Sequence, residues 1–430
     1  MTLSSTGSVR PSASDRLNAP TISMALRRFA VRFGWWTLAV SASGFVLFAF
    51  FPGWIFGVDV EVYYRGAAAA FSGDLYTGTY GPYTLPFTYP PFAALVFQPL
   101  VLLPLASVMV LWTAATVACL WQVLRWLLPS HWSAIERSRG AVLLTAVLMW
   151  ADPVRSTMTF AQVNVFLVTL VMADLVGRSR NRWLRWIPTG VLVGIASAIK
   201  LTPALFIIYL LLCKRWKDAA WAAGSAIGAT LLAFLVLPRE TMTYFLGGIG
   251  NNPARVGPIE YVSNQSIYGA LSRWLDGSSL VTPLWLGLAA IVGALGIGVA
   301  VAVAKRGDQA IAALLVGVTA CLVSPISWSH HWVWAVLLGV ALACSPLAVP
   351  RQVAVGVGLV ALFVWGPIWR LRSGAGVEWW YSPWEDLVAS CYAVAAVAAM
   401  MWLAEWLIRT GATELHVQAA ARELPKRALR

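Results

Sequence analysis

Apolar stretches, separated by short polar breaks, follow one another through almost the whole chain. A helix needs roughly 20 mostly apolar residues to cross a bilayer, and many of these stretches approach that length. The pattern predicts an all-α polytopic membrane protein with about 12 transmembrane helices. The predicted spans lie near residues 34–52, 104–126, 140–157, 161–177, 185–199, 201–213, 219–238, 281–304, 309–324, 331–348, 352–370 and 386–408.

Composition supports lipid as the main solvent of the chain. Of the 430 residues, 59% are hydrophobic and only 11% are charged, whereas a soluble domain has about a quarter charged residues. The five cysteines lie in or beside apolar runs without paired spacing. They are therefore interpreted as small hydrophobic residues, and they predict neither a disulfide framework nor a metal site.

Basic residues indicate the orientation of the predicted bundle. When the N-terminus is placed in the cytoplasm and the sides alternate, about three in four of the Lys and Arg residues fall on the cytoplasmic side, as the positive-inside rule requires. The net charge of +13 is thus explained by cytoplasmic loops, and no nucleic-acid partner is expected. We predict a disordered cytoplasmic tail at 1–33, a membrane domain at 34–410 and a cytoplasmic tail at 411–430.

The longest loops fall on the opposite side, which in a plasma (inner) membrane is the periplasmic face. The first periplasmic loop covers 53–91 and a second long loop covers 239–280; both are rich in aromatic residues, Gly and Pro. No Gly-rich nucleotide-binding loop occurs in the chain. The candidate chemistry therefore lies on the face opposite the two tails.

The first loop opens with carboxylates among aromatic side chains. Asp59 and Glu61 follow the first span, with Tyr63 and Arg65 beside them and Tyr89 further along the loop. Aromatic neighbours limit water access and raise the basicity of a carboxylate, so Asp59 is a candidate catalytic base. The tyrosines, with Glu61, are candidates for sugar or acceptor binding. The alternatives are a solvated loop acid and an interfacial aromatic belt.

Further candidates lie at outer turns between spans. His330 and His331 are adjacent in the segment SPISWSHHWVW, and Lys200 lies in AIKLTPA. Ionisable side chains near membrane spans often have a function, and here we predict that they bind phosphate or sugar. The alternatives are a histidine pair with a structural role and a lysine that snorkels to the headgroup region. Arg65 and Arg372 are assigned with Lys200 to the donor phosphate. The amides assigned to sugar or acceptor are Gln162, Asn164, Asn264 and Gln265.

The predicted side of the membrane constrains the reaction. Nucleotide-activated sugars are cytoplasmic, so an activated donor used outside must be carried across as a lipid phosphate ester. A single carboxylate such as Asp59, acting as base on an acceptor hydroxyl, then suffices for displacement with inversion. A lipid-linked sugar transporter or flippase is the alternative from another class, but it would place polar residues within spans. Here they cluster at outer helix ends, which favours an enzyme.

Five motifs in one order resemble a known family. The start of the first loop at Asp59, LPFTYPPF, AQVNV, IKLTPA and SPISWSHHWVW are together similar to glycosyltransferase family 87, and in particular to its mycobacterial and corynebacterial α-(1→2)-mannosyltransferases. The resemblance covers about residues 34–410. It implies a GT-C fold with periplasmic helices in the first loop, Asp59 as catalytic base and the His330–His331 pair at the active site. The resemblance does not indicate which of the two histidines acts.

The resemblance also implies the substrates. The donor would be polyprenyl-phosphate-mannose, and the acceptor would be a phosphatidylinositol mannoside that is converted from tetramannoside to pentamannoside. The protein would also contact the surrounding membrane lipids. The alternative within the family is α-1,2-mannosyl branching of lipomannan and lipoarabinomannan. No cofactor is expected; a divalent metal is not expected either, although clustered first-loop acids such as Asp59 and Glu61 hold one in other GT-C enzymes.

Overall fold

A computed structural model describes residues 19–49, 56–179, 181–345 and 350–427, and helices account for most of them. One short antiparallel hairpin, β1 (Thr79–Tyr80) with β2 (Leu85–Pro86), is present in this described part. The helices are α1 (Ala19–Ala49), α2 (Val58–Ala69), α3 (Pro91–Val96), α4 (Leu105–Leu127), α5 (Ala134–Leu148), α6 (Asp152–Phe160), α7 (Asn164–Leu175), α8 (Val191–Ile199), α9 (Leu205–Leu212), α10 (Trp216–Val236), α11 (Pro238–Phe245), α12 (Ile267–Trp274), α13 (Val281–Lys305), α14 (Gln309–Val323), α15 (Val333–Cys344), α16 (Pro350–Trp365), α17 (Pro383–Ala389) and α18 (Cys391–Arg427).

The all-α membrane character predicted from the sequence is confirmed. Within the described residues, 6 helices are long and apolar enough to cross a bilayer, namely α1, α4, α10, α13, α16 and α18, and the number reaches 7 if the bent pair α6 and α7 forms one span. The other predicted spans fall on shorter helices such as α14 and α15. A 15-residue helix is only about 22 Å long, which is less than the roughly 30 Å hydrocarbon core. The count of twelve spans therefore stays a prediction.

Burial separates central helices from outer ones. In α14 every residue from Ile311 to Leu322 is buried, and α15 is buried over most of its length. By contrast α1 and α10 expose large apolar side chains, including Trp36 at 74% and Leu235 at 78%. Apolar surface on this scale is typical of contact with lipid rather than water. The fold is thus a helical bundle with α14 and α15 in its core.

Helix boundaries differ from the predicted tails. Helix α1 begins at Ala19, so residues 19–33, predicted to be disordered, are helical, and α18 continues to Arg427 through the predicted C-terminal tail; residues 1–18 and 428–430 lie outside the described ranges. Hydropathy marks where apolar residues begin, whereas arginine-containing segments are good helix formers and extend a helix beyond them. Arg27 Nε also donates to Glu136 Oε1 at 2.7 Å, which ties α1 to α5.

The break between α6 and α7 places polar side chains inside the bundle. The two helix axes differ by 115°, because Ala161 adopts a left-handed conformation at φ 53° and ends α6. Such a conformation costs a non-glycine residue about 1–2 kcal/mol, so the surrounding packing maintains it. Gln162 N then bonds Thr157 O at 2.9 Å, and α7 starts at Asn164. The amides of the AQVNV motif thereby emerge at a helix junction and not along a continuous span.

Candidate active site

Helix α2 gives its two carboxylates different environments. Gly57, left-handed at φ 75°, precedes the helix, and its N–H donates to Thr159 O at 2.7 Å, which anchors α2 to α6. Residues two apart on a helix do not share a face. Asp59 accordingly faces a large cavity, whereas Glu61 turns away and accepts from Arg65 Nε at 2.7 Å. Asp59 and Glu61 therefore do not form a carboxylate pair.

Gln162 and two tyrosines form a buried hydrogen-bonded cluster beside Asp59. Gln162 Oε1 accepts from the Tyr63 hydroxyl at 2.9 Å and from the Tyr89 hydroxyl at 3.0 Å, and the two hydroxyls lie 2.9 Å apart. With its oxygen occupied in this way, Gln162 has its amide N–H groups left to donate towards the Asp59 carboxyl, whose pKa the Gln162 amide lowers. The tyrosines thus fix the orientation of the amide that contacts the candidate base.

Lys200, in the turn after α8, connects two other motifs. Its Nζ donates to Asn164 Oδ1 at 3.1 Å and lies 3.1 Å from His331 Nε2, above the Tyr89 ring at 5.5 Å from the centroid. An ammonium has no acceptor lone pair, so His331 Nε2 is the acceptor. In the neutral imidazole the proton is then on Nδ1. Lys200 therefore determines which histidine nitrogen is left to donate.

Within the described ranges, His330 has no protein partner at either ring nitrogen. Its side chain is 6% exposed, lines the cavity and packs edge-on against Phe160, yet neither Nδ1 nor Nε2 is hydrogen bonded. Its backbone oxygen, however, accepts from Thr157 Oγ1 and Asn164 Nδ2, both at 2.9 Å. A buried polar group without a partner is costly. This well-anchored imidazole therefore suits a bound ligand.

Electrostatics make Asp59 a competent base near neutral pH. Burial raises the pKa of the Asp59 carboxyl to about 7, against the opposing effects of the Gln162 hydrogen bond and the Lys200 ammonium. Burial likewise lowers the pKa of Lys200 to about 8, while the nearby Asp59 opposes this change. A general base works best with a pKa close to the operating pH. The cavity therefore holds a carboxyl and an amino group whose pKa values both lie close to neutral pH.

The cavity is large. Its volume is about 570 Å³, and it is lined by Asp59, Tyr63, Tyr89, Gln162, Lys200, His330 and His331 among others. Residues from the first loop, the α6–α7 junction, the turn after α8 and the segment before α15 therefore meet around one space. Sequence reasoning did not select several further lining residues, which include Phe160, Tyr244, Asn251, Asn252, Tyr261, Trp328 and Trp369.

Three residues that were predicted to bind the donor or the acceptor lie outside the cavity. Arg65 is exposed and paired with Glu61, and Arg372 is exposed and within 3.6 Å of Glu385; none of these side chains lines the cavity. A salt-bridged guanidinium on the surface cannot reach a phosphate inside the bundle. The structure therefore does not place Glu61, Arg65 or Arg372 at the site for which the sequence proposed them.

The amides of Asn264 and Gln265 serve the architecture instead of the cavity. Asn264 Nδ2 donates to Ile259 O and Pro325 O, and its Oδ1 accepts from Ser266 N and Ser327 N. Gln265 is bonded at both ends of its amide to main-chain groups around Ala389 and Tyr392. Both side chains are fully buried. They hold the second long loop against the segment before His330 and have no group left for sugar.

Comparison with known proteins agrees with the membrane fold and the cavity. A family model described as glycosyltransferase family 87 matches residues 87–325. A protein of Mycolicibacterium smegmatis (strain ATCC 700084 / mc(2)155) named polyprenol-phosphate-mannose-dependent alpha-(1-2)-phosphatidylinositol pentamannoside mannosyltransferase is 37% identical over 367 residues, covering 81% of this chain and 85% of the relative. A protein of the same name from Mycobacterium tuberculosis (strain CDC 1551 / Oshkosh) is 34% identical over 93% of this chain and 92% of its own length.

A second group of relatives has a slightly different name. A Mycobacterium tuberculosis (strain ATCC 25618 / H37Rv) protein named polyprenol-phosphate-mannose-dependent alpha-(1-2)-phosphatidylinositol mannoside mannosyltransferase is 33% identical over 84% of this chain and 91% of the relative. No solved structure matches the chain. The family match spans more than half of the chain, and the relatives extend over most of the rest. The chain therefore belongs to glycosyltransferase family 87 and is a multi-pass membrane glycosyltransferase.

Proposed function

We propose that this glycosyltransferase is an inverting α-(1→2)-mannosyltransferase that transfers mannose from polyprenyl-phosphate-mannose to a phosphatidylinositol mannoside, at the step from tetramannoside to pentamannoside. The observation that carries the proposal is that a carboxylate, Asp59, and an ammonium, Lys200, line one cavity with both histidines. The names of the relatives support the donor and acceptor. The chain is 34–37% identical to the relatives whose names contain pentamannoside and 33–34% identical to the relatives named for a phosphatidylinositol mannoside. This small difference favours the step from tetramannoside to pentamannoside.

The geometry supports a single displacement. Asp59 takes the proton of the acceptor hydroxyl as the hydroxyl oxygen forms a bond to the anomeric carbon of mannose, whose configuration inverts. The bond from that carbon to the phosphate oxygen breaks, and its electron pair leaves with the polyprenyl phosphate. Lys200 and the Nδ1–H of His331 stabilise the negative charge that grows on this leaving group. The two ring nitrogens of His330 are available to the phosphate or the sugar.

We infer that the fold is a GT-C bundle with about twelve membrane helices, both termini in the cytoplasm and the cavity open to the periplasm. Each predicted span overlaps a helix of the structure, and the charge distribution gives the orientation. Asn251, which is exposed at the cavity rim, provides a test. Asn251→Cys, in a chain with the five native cysteines replaced, should react with an impermeant maleimide from the periplasmic side. Labelling from the cytoplasmic side alone would contradict this orientation.

We further propose that transfer needs no divalent metal. Among the described residues no group of three or more His, Cys, Asp or Glu side chains could hold a metal ion, and Glu61 is turned away from Asp59 by its bond to Arg65. Turnover should be unchanged by a chelator in metal-free buffer. Loss of turnover that Mg²⁺ or Mn²⁺ restores would refute this part of the proposal.

Asp59→Asn is the direct test of the function. The purified protein in lipid nanodiscs is given radiolabelled polyprenyl-phosphate-mannose and a panel of phosphatidylinositol mannosides and lipomannan acceptors. The wild type should extend the tetramannoside, and Asp59→Asn should lose at least about 10²-fold in kcat, which is the low end for removing a general base. Asp218→Asn is the matched control, since Asp218 also lies in the first turn of a helix but pairs with Arg215 away from the cavity. Wild-type turnover by Asp59→Asn would refute the assignment of the base.

A further inference from the structure

A second cleft lies beside the catalytic cavity, between the loop before α12 and the start of α13. Its volume is about 570 Å³, and we call it the side cleft. The residues that line it are Ala254, Gly257, Pro258, Ile259, Glu260, Tyr268, Ser272, Gly277, Ser278, Ser279, Val281, Thr282 and Trp379. Gly257 and Pro258 also line the catalytic cavity, so the two spaces share a wall. Nothing in the proposed reaction uses the rest of these residues.

Trp379 is held in the wall of the side cleft by two glycines. Gly277 and Gly376 both have positive φ, at 66° and 77°, and a Cβ atom added to them would lie 3.2 Å and 3.4 Å from the indole. The ring thus packs against two loops that only glycine allows to approach so closely. An aromatic ring fixed in this way provides a flat apolar surface at low entropic cost. The C–H face of a sugar ring matches such a surface.

The polar groups of the side cleft suit a neutral, hydroxyl-rich ligand. The Glu260 carboxylate is partly buried and makes no hydrogen bond or ion pair within the described part of the chain, while its main-chain oxygen accepts from Arg273 Nη1 at 3.2 Å. Serine, threonine and tyrosine hydroxyls provide the remaining polar atoms, and no Lys, Arg or His of the described residues lines the side cleft. An anionic phosphate would lack a cationic partner here. A carboxylate and hydroxyls instead pair well with sugar hydroxyls.

The shared wall is thin. Gly257 has φ 150°, and a Cβ atom on it would lie 2.9 Å from Trp328 Cζ2, while Trp328 itself lines the catalytic cavity. A single backbone segment therefore separates the side cleft from the space that contains Asp59. The two spaces are therefore adjacent, which is what an acceptor with more than one sugar arm requires if it is to occupy both.

We propose that the side cleft binds neutral hexose units of the acceptor glycan that are remote from the reacting hydroxyl, with Trp379 as stacking surface and Glu260 as hydrogen-bond acceptor. This inference rests on the proposed function, because it assumes a multi-sugar mannoside acceptor. Such a subsite would make the enzyme prefer long acceptors to short ones. Remote binding of this kind adds affinity without touching the reacting atoms.

The test compares two acceptors. Trp379→Ala and Glu260→Gln are assayed with the lipid-anchored tetramannoside and with an alkyl mannoside carrying a single sugar. Each variant should raise the KM for the tetramannoside about tenfold, a loss of about 1.4 kcal/mol, while kcat/KM for the single sugar stays within about twofold of wild type. Trp380→Ala is the matched control, because this neighbouring indole is 82% exposed and lines neither space. It should behave as wild type with both acceptors.

The outcomes separate the two proposals. An unchanged tetramannoside KM in both variants would overturn the side cleft as a binding site, although wild-type mannose transfer would still support the proposed function. Equal loss with both acceptors would also overturn it, since a remote subsite cannot affect a single sugar. If the wild type transfers no mannose to either acceptor, the proposed function fails, and the side cleft inference fails with it.

Discussion

Replacing Gln162 with leucine should shift the pH dependence of mannose transfer without removing the catalytic base. The substitution keeps much of the side-chain volume but removes the amide that donates to Asp59. The two tyrosine hydroxyls lose their common acceptor, yet they lie 2.9 Å apart and remain paired with each other. The main change is therefore the loss of one hydrogen bond to the ionised carboxylate.

The size of the shift follows from the lost bond. A hydrogen bond to a charged group contributes about 1.5–3 kcal/mol, which corresponds to roughly one to two pKa units. Burial already raises the pKa of Asp59 to about 7, so in Gln162→Leu it should rise to roughly 8–9. At pH 7 the deprotonated fraction then falls from about one half to about 1–10%, and kcat/KM should fall about five- to fiftyfold.

The assay is a kcat/KM profile for mannose transfer between about pH 5.5 and 10. The wild type should show an ascending limb with its midpoint near 7 and a descending limb near 8, where Lys200 loses its charge. In Gln162→Leu the ascending limb should lie at higher pH, so the optimum moves up and the maximal rate is lower than in the wild type. Gln309→Leu is the matched control, because Gln309 also accepts from a tyrosine, Tyr209 at 3.3 Å, but lies away from the cavity. A limb that stays at the wild-type position in Gln162→Leu would refute the orientation of the amide towards Asp59.

Three further variants test other parts of the site. Lys200→Met should raise the KM for the lipid-phosphate donor and lower kcat, so that kcat/KM falls by about tenfold or more, because the cation proposed to lie beside the leaving phosphate is lost. Steady-state kinetics with both parameters unchanged would contradict this role of Lys200. Asn264→Ala should lower the free energy of unfolding by about 2–4 kcal/mol, since four hydrogen bonds to main-chain groups are broken. Thermal unfolding in detergent measures this loss. A variant of unchanged stability with a raised acceptor KM would instead support sugar binding by Asn264. Arg65→Ala should leave the donor KM within about twofold of wild type, because Arg65 is exposed and pairs with Glu61 outside the cavity. A tenfold rise in the donor KM would instead place Arg65 at the phosphate.

The sequence was sufficient for the membrane class and for the order of the motifs. Transfer of an apolar stretch from water to lipid is a local property of that stretch, so hydropathy alone predicted a bundle that the structure confirms. The motifs around Asp59, Lys200 and His330 are likewise local, and they were sufficient for the family. Helix ends were less accurate, as at α1, because backbone hydrogen bonding continues past the last apolar residue.

Only the tertiary structure decided which polar groups share the cavity. Asp59 and Glu61 are equivalent in the sequence, but helix phase turns one into the cavity and pairs the other with Arg65. Gln162 and Gln265 are both buried amides, yet one contacts the candidate base and the other holds a loop at Ala389. The difference between the two glutamines arises from hydrogen bonds between residues roughly a hundred positions apart. Such contacts form only when the helices pack, so local sequence patterns cannot specify them.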